Sequence, residues 1–167
     1  MAKNDCSLTA EEARSFLEYN PHTGLFTRKI RAGRALAGSV PGAKDSLGYV
    51  QISLKNKLWM AHRVAWLIVH GQWPPSRIDH INGQRDDNRI DNLRLANASQ
   101  NMWNRKAQAG TSKYKGVYLN RRTNKWGAGA SAHGKHHHAG WFDCEEEANK
   151  AAKATREKLH TKFCRHE

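Results

Sequence analysis

The chain has 167 residues, 38% of them hydrophobic, and its 28 Lys and Arg against 15 Asp and Glu leave a net charge of +13. That length holds one ordinary domain or two or three small ones, and the low apolar share implies a modest, divided core. A cationic excess of this size attracts phosphate polyanions whatever their sequence, so it favours nucleic acid over a membrane surface as partner. Cys6, Cys144 and Cys164 lie far apart, which excludes a disulfide framework or a zinc ribbon and fits a reducing compartment. The N-terminus has no apolar run resembling a secretory signal, and no stretch is apolar for long enough to span a bilayer. The expectation is a soluble, cytoplasmic protein with no membrane partner.

In chain order, Ser7, Thr9 and Glu12 predict a helix start, with a hydroxyl cap and acids in the first turn; the helix should run to about Tyr19 and stop at Pro21. A strand begins at Leu25, and the glycine-rich, basic residues 28–44 predict a loop. The alternation over residues 48–54 and the return at residues 58–60 predict a β-hairpin. Residues 61–70 carry a helical apolar stripe, and Gly71 is placed as its cap. Short strands are expected at residues 77–80 and 93–95, then a helix over residues 98–106 and a linker at residues 109–112. Beyond it the pattern predicts strands at residues 114–120, 125–132 and 137–142 and a helix over residues 144–160. Ala148, Ala151, Ala152, Thr155 and Leu159 form a small-residue stripe on that helix, suited to lying close on a three-stranded sheet. The fold class is α+β.

The densest polar tract, residues 78–104, holds six Asn, four Asp and one His. A calcium loop of the EF-hand kind fails, because Ile81 sits where a ligand is needed and Gly83 comes one position early. Turns alone would explain the composition. The order of residues says more: Asp79 and His80 end a short strand, a polar loop leads to Asn92, a second strand follows, and Asn101 and Asn104 share one face of the next helix.

Asp79-His80-Ile81-Asn82-Gly83, Asp87-Asn88-Arg89, Asn92-Leu93-Arg94, Gln100-Asn101 and Asn104-Arg105 together resemble the HNH endonuclease motif of phage and intron-associated enzymes. The hairpin at Tyr49-Val50 and the run Ala61-His62-Arg63-Val64-Ala65-Trp66 resemble what precedes that motif, so the likeness covers about residues 20–106. It implies a ββα-metal fold acting on double-stranded DNA, and a phage or mobile-element, homing-type role in a host cytosol. Asp79 and Asn101 would bind one divalent metal, His80 would be the general base, and Asn92 would hold its imidazole. Where many members have His at the last ligand position this chain has Asn101, a hard oxygen donor that points to Mg²⁺ or Mn²⁺. His62 is expected in helix packing and His70 at a helix end. Asp86, Asp87 and Asp91 are expected to stabilise the loop, although one could reach the metal through water. Asn104 is either a support for the metal ligands or a surface residue.

Residues 112–164 resemble the AP2/ERF DNA-binding domain, through Ser112-Lys113-Tyr114-Lys115-Gly116-Val117-Tyr118, Lys125-Trp126-Gly127-Ala128, His138-Ala139-Gly140-Trp141-Phe142 and Glu145-Glu146-Glu147-Ala148. The likeness implies a sheet that enters the major groove, with Lys115, Arg121, Arg122, Lys125 and Trp126 as DNA contacts. Trp141 and Phe142 are expected to pack the helix on the sheet. Adjacent strand residues face opposite ways, so His136, His137 and His138 are read as a strand of mixed exposure rather than a metal site. The expected organisation is an N-terminal region at residues 1–45, a nuclease domain at residues 46–108 and a DNA-binding domain at residues 112–167. The alternative is a non-catalytic DNA-binding regulator that keeps the HNH unit as structure.

Overall fold

A computed structural model describes residues 8–106 and 110–166. Ser7 and Ala109, which carry part of the expected helix start and linker, lie outside the described residues, as does Cys6. The chain divides into two compact units, residues 1–96 and 97–167, giving a mixed α and β molecule. This division groups the helix after Asn97 with the second unit, whereas the motif resemblance groups it with residues 46–108. Among the described residues no helix is long and apolar enough to cross a membrane.

In the first unit, α1 (Ala10–Phe16) begins with a reciprocal cap. The Thr9 hydroxyl accepts from the Glu12 amide at 3.1 Å, and the Glu12 carboxylate accepts from the Thr9 amide at 2.9 Å. The helix ends three residues before Tyr19. Leu17 and Tyr19 instead lie in β1 (Leu17–Tyr19), which pairs antiparallel with β2 (Phe26–Arg28). There Leu17 is buried and the Tyr19 ring packs on Phe26 at 4.7 Å, so tertiary packing overrides the helical tendency. Residues 28–44 are mostly irregular, but β3 (Ala43–Lys44) pairs with β4 (Val50–Leu54), which pairs with β5 (Lys57–Met60). Lys55 and Asn56 both have positive φ, the geometry a tight two-residue hairpin needs.

The α2 helix (Ala61–His70) stops at Gly71, whose φ of 75° makes the left-handed cap. It buries Ala61, Val64, Ala65 and Leu67 against Ile52, Leu54 and Trp59. Trp73 stacks on Trp59 at 5.2 Å and donates its indole N–H to the Leu8 carbonyl, tying the chain after α2 to the segment before α1. From this core β6 (Arg77–His80) and β7 (Leu93–Ala96) run antiparallel, with His80 opposite Leu93 and Asp79 opposite Arg94.

In the second unit, α3 (Ala98–Trp103) opens on a second reciprocal cap between Asn97 and Gln100 and ends short of the expected Lys106. Strands β8 (Val117–Asn120), β9 (Lys125–Ala132) and β10 (Lys135–Phe142) form an antiparallel sheet in the order β10-β9-β8, and α4 (Glu145–His160) lies across one face. Ala148 and Ala152 are fully buried with Ala128 beneath them, as the small-residue stripe requires. Ser112 belongs to this unit rather than to a linker, since its hydroxyl donates to the Glu145 carboxylate at 2.6 Å.

Candidate active site and basic sheet

The candidate site of the first unit is built at the end of the β6–β7 pair. Asp79 and His80 are both buried, at 6% and 5% exposure. Asp79 is held from the neighbouring strand by Arg94, whose Nε and Nη2 donate to Oδ2 at 2.8 and 2.7 Å. His80 sits in an aromatic enclosure: its ring meets His62 edge-on at 5.1 Å and Tyr49 at 5.8 Å, and the Arg85 guanidinium lies 5.0 Å over Tyr49. Burial pushes the His80 pKa down, opposed by the Asn88 amide and by Asp79, Asp87 and Asp86. The balance favours the neutral imidazole, the form that can accept a proton.

Asn92, expected to hold His80, is engaged with the loop. Its Oδ1 accepts from the Asn82 amide at 3.0 Å and its Nδ2 donates to the Asp87 carbonyl at 2.8 Å, closing the turn that leaves β6. The buried Asn88 side chain also lies near the imidazole, its Nδ2 donating to the Asp86 carbonyl at 3.1 Å. Asn88 is placed from behind: Tyr19 donates its hydroxyl to the Asn88 carbonyl at 2.7 Å, and the Ile90 amide donates to the Pro21 carbonyl. Gly24 lies so close that a Cβ there would stand 2.4 Å from the Arg89 nitrogen, so this turn must be bare backbone. Asp87 stabilises the loop as expected, and its pKa falls to about 2 chiefly through its bonds to Arg89. Asp86 pairs with Lys44 at 2.7 Å. Sequence reasoning passed over Tyr19, Gly24 and Asn88 as site-supporting residues, and only the Asp87-Asn88-Arg89 match hinted at any of them.

His62 is packed inside the unit as expected. Burial first, and then His80 and Arg63, push its pKa down to about 3. Its proton is therefore taken up by the unfolded chain before the folded one, and stability falls as pH drops from about 6.5 towards 3. We expect about 2 kcal/mol to be lost by pH 5 on this account, from the ordinary imidazole value of about 6.5. Urea unfolding of the native protein and of His62→Gln at pH 7.5 and pH 5 checks it; an equal acid loss in both would assign the effect elsewhere.

Asn101 lies on α3 in the second unit and is half-buried, and Asn104 is buried at the end of that helix. Among the described residues no group of three His, Cys, Asp or Glu side chains could hold a metal ion. The Asp79 carboxylate is nonetheless a hard oxygen donor of the kind Mg²⁺ takes, and that ion keeps several waters and needs few protein ligands.

The sequence-predicted DNA contacts fall into two sets. Arg121 and Arg122 are exposed in the β8–β9 turn, and Lys125 is exposed at the start of β9, 3.2 Å from Asp143. Lys115 and Trp126 are engaged inside the unit. Lys115 donates from Nζ to the Trp103 and Arg105 carbonyls at 2.6 Å each, closing the end of α3, and burial, with Arg156 beside it, pushes its pKa down to about 8. Trp126 packs with Phe142 in the core beneath α4. Trp141 departs from expectation in the other direction. A bulge between His138 and Gly140 turns Ala139 inward and shifts the alternation, so Phe142 packs the core while Trp141 faces outward. His136, His137 and His138 are all exposed.

Comparison with known proteins follows the same segment. The HNH endonuclease family model matches residues 60–103, from the end of β5 through α3. The chain is 34% identical over 106 residues to Protein 3.8 of Escherichia phage T7, an alignment that covers 62% of this chain and 87% of that protein. No solved structure gives a significant match. The chain therefore belongs to the family of the phage T7 Protein 3.8, and its residues 60–103 are an HNH endonuclease-family domain.

Proposed function

We propose that the chain is a metal-dependent DNA endonuclease whose general base is His80 and whose second unit binds DNA. The observation that carries this reading is the buried His80 imidazole, its pKa pushed down by burial, beside Asp79 at the end of β6 and next to a loop closed by Asn92, inside the HNH-matched segment. His80 takes the proton of a water whose oxygen attacks phosphorus; the bond to the 3′ oxygen breaks and that oxygen takes a proton from solvent water, leaving 5′-phosphate and 3′-hydroxyl ends. The His62 and Tyr49 rings keep the imidazole in place while the proton moves. Asp79 would supply an oxygen ligand to Mg²⁺ or Mn²⁺, as the resemblance implies. When bound, such an ion supplies positive charge to the scissile phosphate and to the leaving oxygen. Arg94 orients Asp79 across the strand pair.

In the second unit, Arg121, Arg122 and Lys125 present exposed positive charge at the β8–β9 turn and the start of β9, and by the AP2 resemblance would grip DNA phosphates or guanine edges. Residues 110–167 carry twelve basic against six acidic residues, which supports an anchoring role.

Purified protein should nick supercoiled plasmid in Mg²⁺ or Mn²⁺ and stop when EDTA removes the metal. Binding to the plasmid with no metal-dependent nicking would instead identify a DNA-binding regulator built on an HNH scaffold.

A further inference from the structure

The sheet of the second unit has one face under α4 and one face open. On the open face Tyr118, Gly127 and Trp141 form a single cross-strand row, Tyr118 opposite Gly127 on β9 and Gly127 opposite Trp141 on β10. Both rings are exposed, Tyr118 at 38% and Trp141 at 46%. Large apolar rings side by side in water are an unusual use of surface in a unit with so small a core.

Gly127 explains how they lie. A Cβ at that position would stand 2.6 Å from the Tyr118 ring and 2.8 Å from the Trp141 ring, so both side chains lean inward over bare backbone. They meet edge to face, 5.7 Å apart at 81°. His138 completes the group, 5.0 Å from Trp141 and with Nδ1 3.4 Å from the Tyr118 hydroxyl. The rings are thus held in one arrangement before any ligand arrives, which lowers the entropy lost on binding.

This surface offers mainly π faces, and two of its polar atoms, the Tyr118 hydroxyl and the His138 Nδ1, face each other. Reading base edges in a duplex groove needs the opposite. Stacking needs flat rings beside positive charge, and it needs bases whose faces are not already covered by neighbouring pairs. The charge is present in the exposed Arg121 and Arg122 of the β8–β9 turn.

We propose that the open sheet face, through Tyr118 and Trp141 over Gly127, stacks the unpaired bases of single-stranded DNA, with Arg121 and Arg122 on its phosphates. This rests on the nucleic-acid reading of the second unit and is independent of cleavage by the first. For a nuclease, such a face would hold a melted or displaced strand at the target.

The test uses the full chain in EDTA, so that binding is read without cutting. Fluorescence anisotropy would compare a labelled oligo(dT) with a blunt duplex of equal length. Trp141→Ala and Tyr118→Ala are each expected to weaken oligo(dT) binding on the order of tenfold and to change duplex binding less than twofold, since stacking on an aromatic ring acts on open bases. Trp141→Phe keeps a ring and should retain most of the affinity, which separates stacking from loss of fold; circular dichroism of each variant checks the latter. Unchanged oligo(dT) affinity in a folded Trp141→Ala variant, with native binding intact, would overturn the stacking site alone. Equal weakening of duplex and single strand would make the face a groove reader and overturn it too. Absence of any DNA binding by the native chain would remove the DNA-binding reading of the unit along with this one.

Discussion

His80→Ala should reduce metal-dependent plasmid nicking by roughly 10²- to 10⁴-fold, the range that a positioned proton acceptor contributes. The size of the expected loss follows from the surroundings of the ring. It is buried among His62 and Tyr49, which fix its position, and its pKa is pushed down by burial. A water entering the vacated space would lack a base so held. The comparison is the initial nicking rate of native and variant proteins of matched circular dichroism. Equal rates would remove His80 from the base role while leaving the nuclease assignment intact, and Tyr49 and Arg85 at the mouth of the same enclosure would then be examined in turn.

Arg94→Ala should cost about 3 kcal/mol of stability in urea unfolding, because it leaves the Asp79 carboxylate buried without its cation. Both partners are largely withdrawn from water, at 15% and 7% side-chain exposure, so solvent screening does little to soften the loss. The pair also spans the ladder directly, Asp79 on β6 facing Arg94 on β7. Replacing both residues, as Asp79→Asn with Arg94→Met, should recover much of the stability but not the nicking, since the proposed oxygen ligand is altered. A loss below 1 kcal/mol for Arg94→Ala would mean that the carboxylate finds water or another partner when the arginine is removed.

The regular elements were legible where local chemistry and packing agree. The apolar stripe of α2 with Gly71 behind it, the alternation of β4, and the alanine stripe of α4 each name their own partner surface. The end of α1 was not legible, because Leu17 and Tyr19 suit a helix as well as a strand until Phe26 and Arg28 come alongside them. Asp79 and His80 stood out by residue type and order, and the HNH match covers them. Their supports did not stand out. Tyr19 and Gly24 are far from His80 in sequence, and nothing local distinguishes a tyrosine or a turn glycine that braces a loop from one that does not. Asn88 and Asn92 are chemically identical, and only the folded loop separates the one beside the imidazole from the one that closes the turn.

Composition and order were enough for an α+β chain with a basic second half, an HNH segment and a candidate Asp-His pair. These are properties of residue type and spacing, and they survive without knowledge of contacts. The arrangement of side chains about that pair, the docking of Lys115 on the Trp103 and Arg105 carbonyls and the outward turn of Trp141 depended on the three-dimensional structure. A hydrogen bond between residues distant in the chain, or a one-residue bulge that reverses a strand's faces, changes which groups meet water without changing the local pattern that announces them.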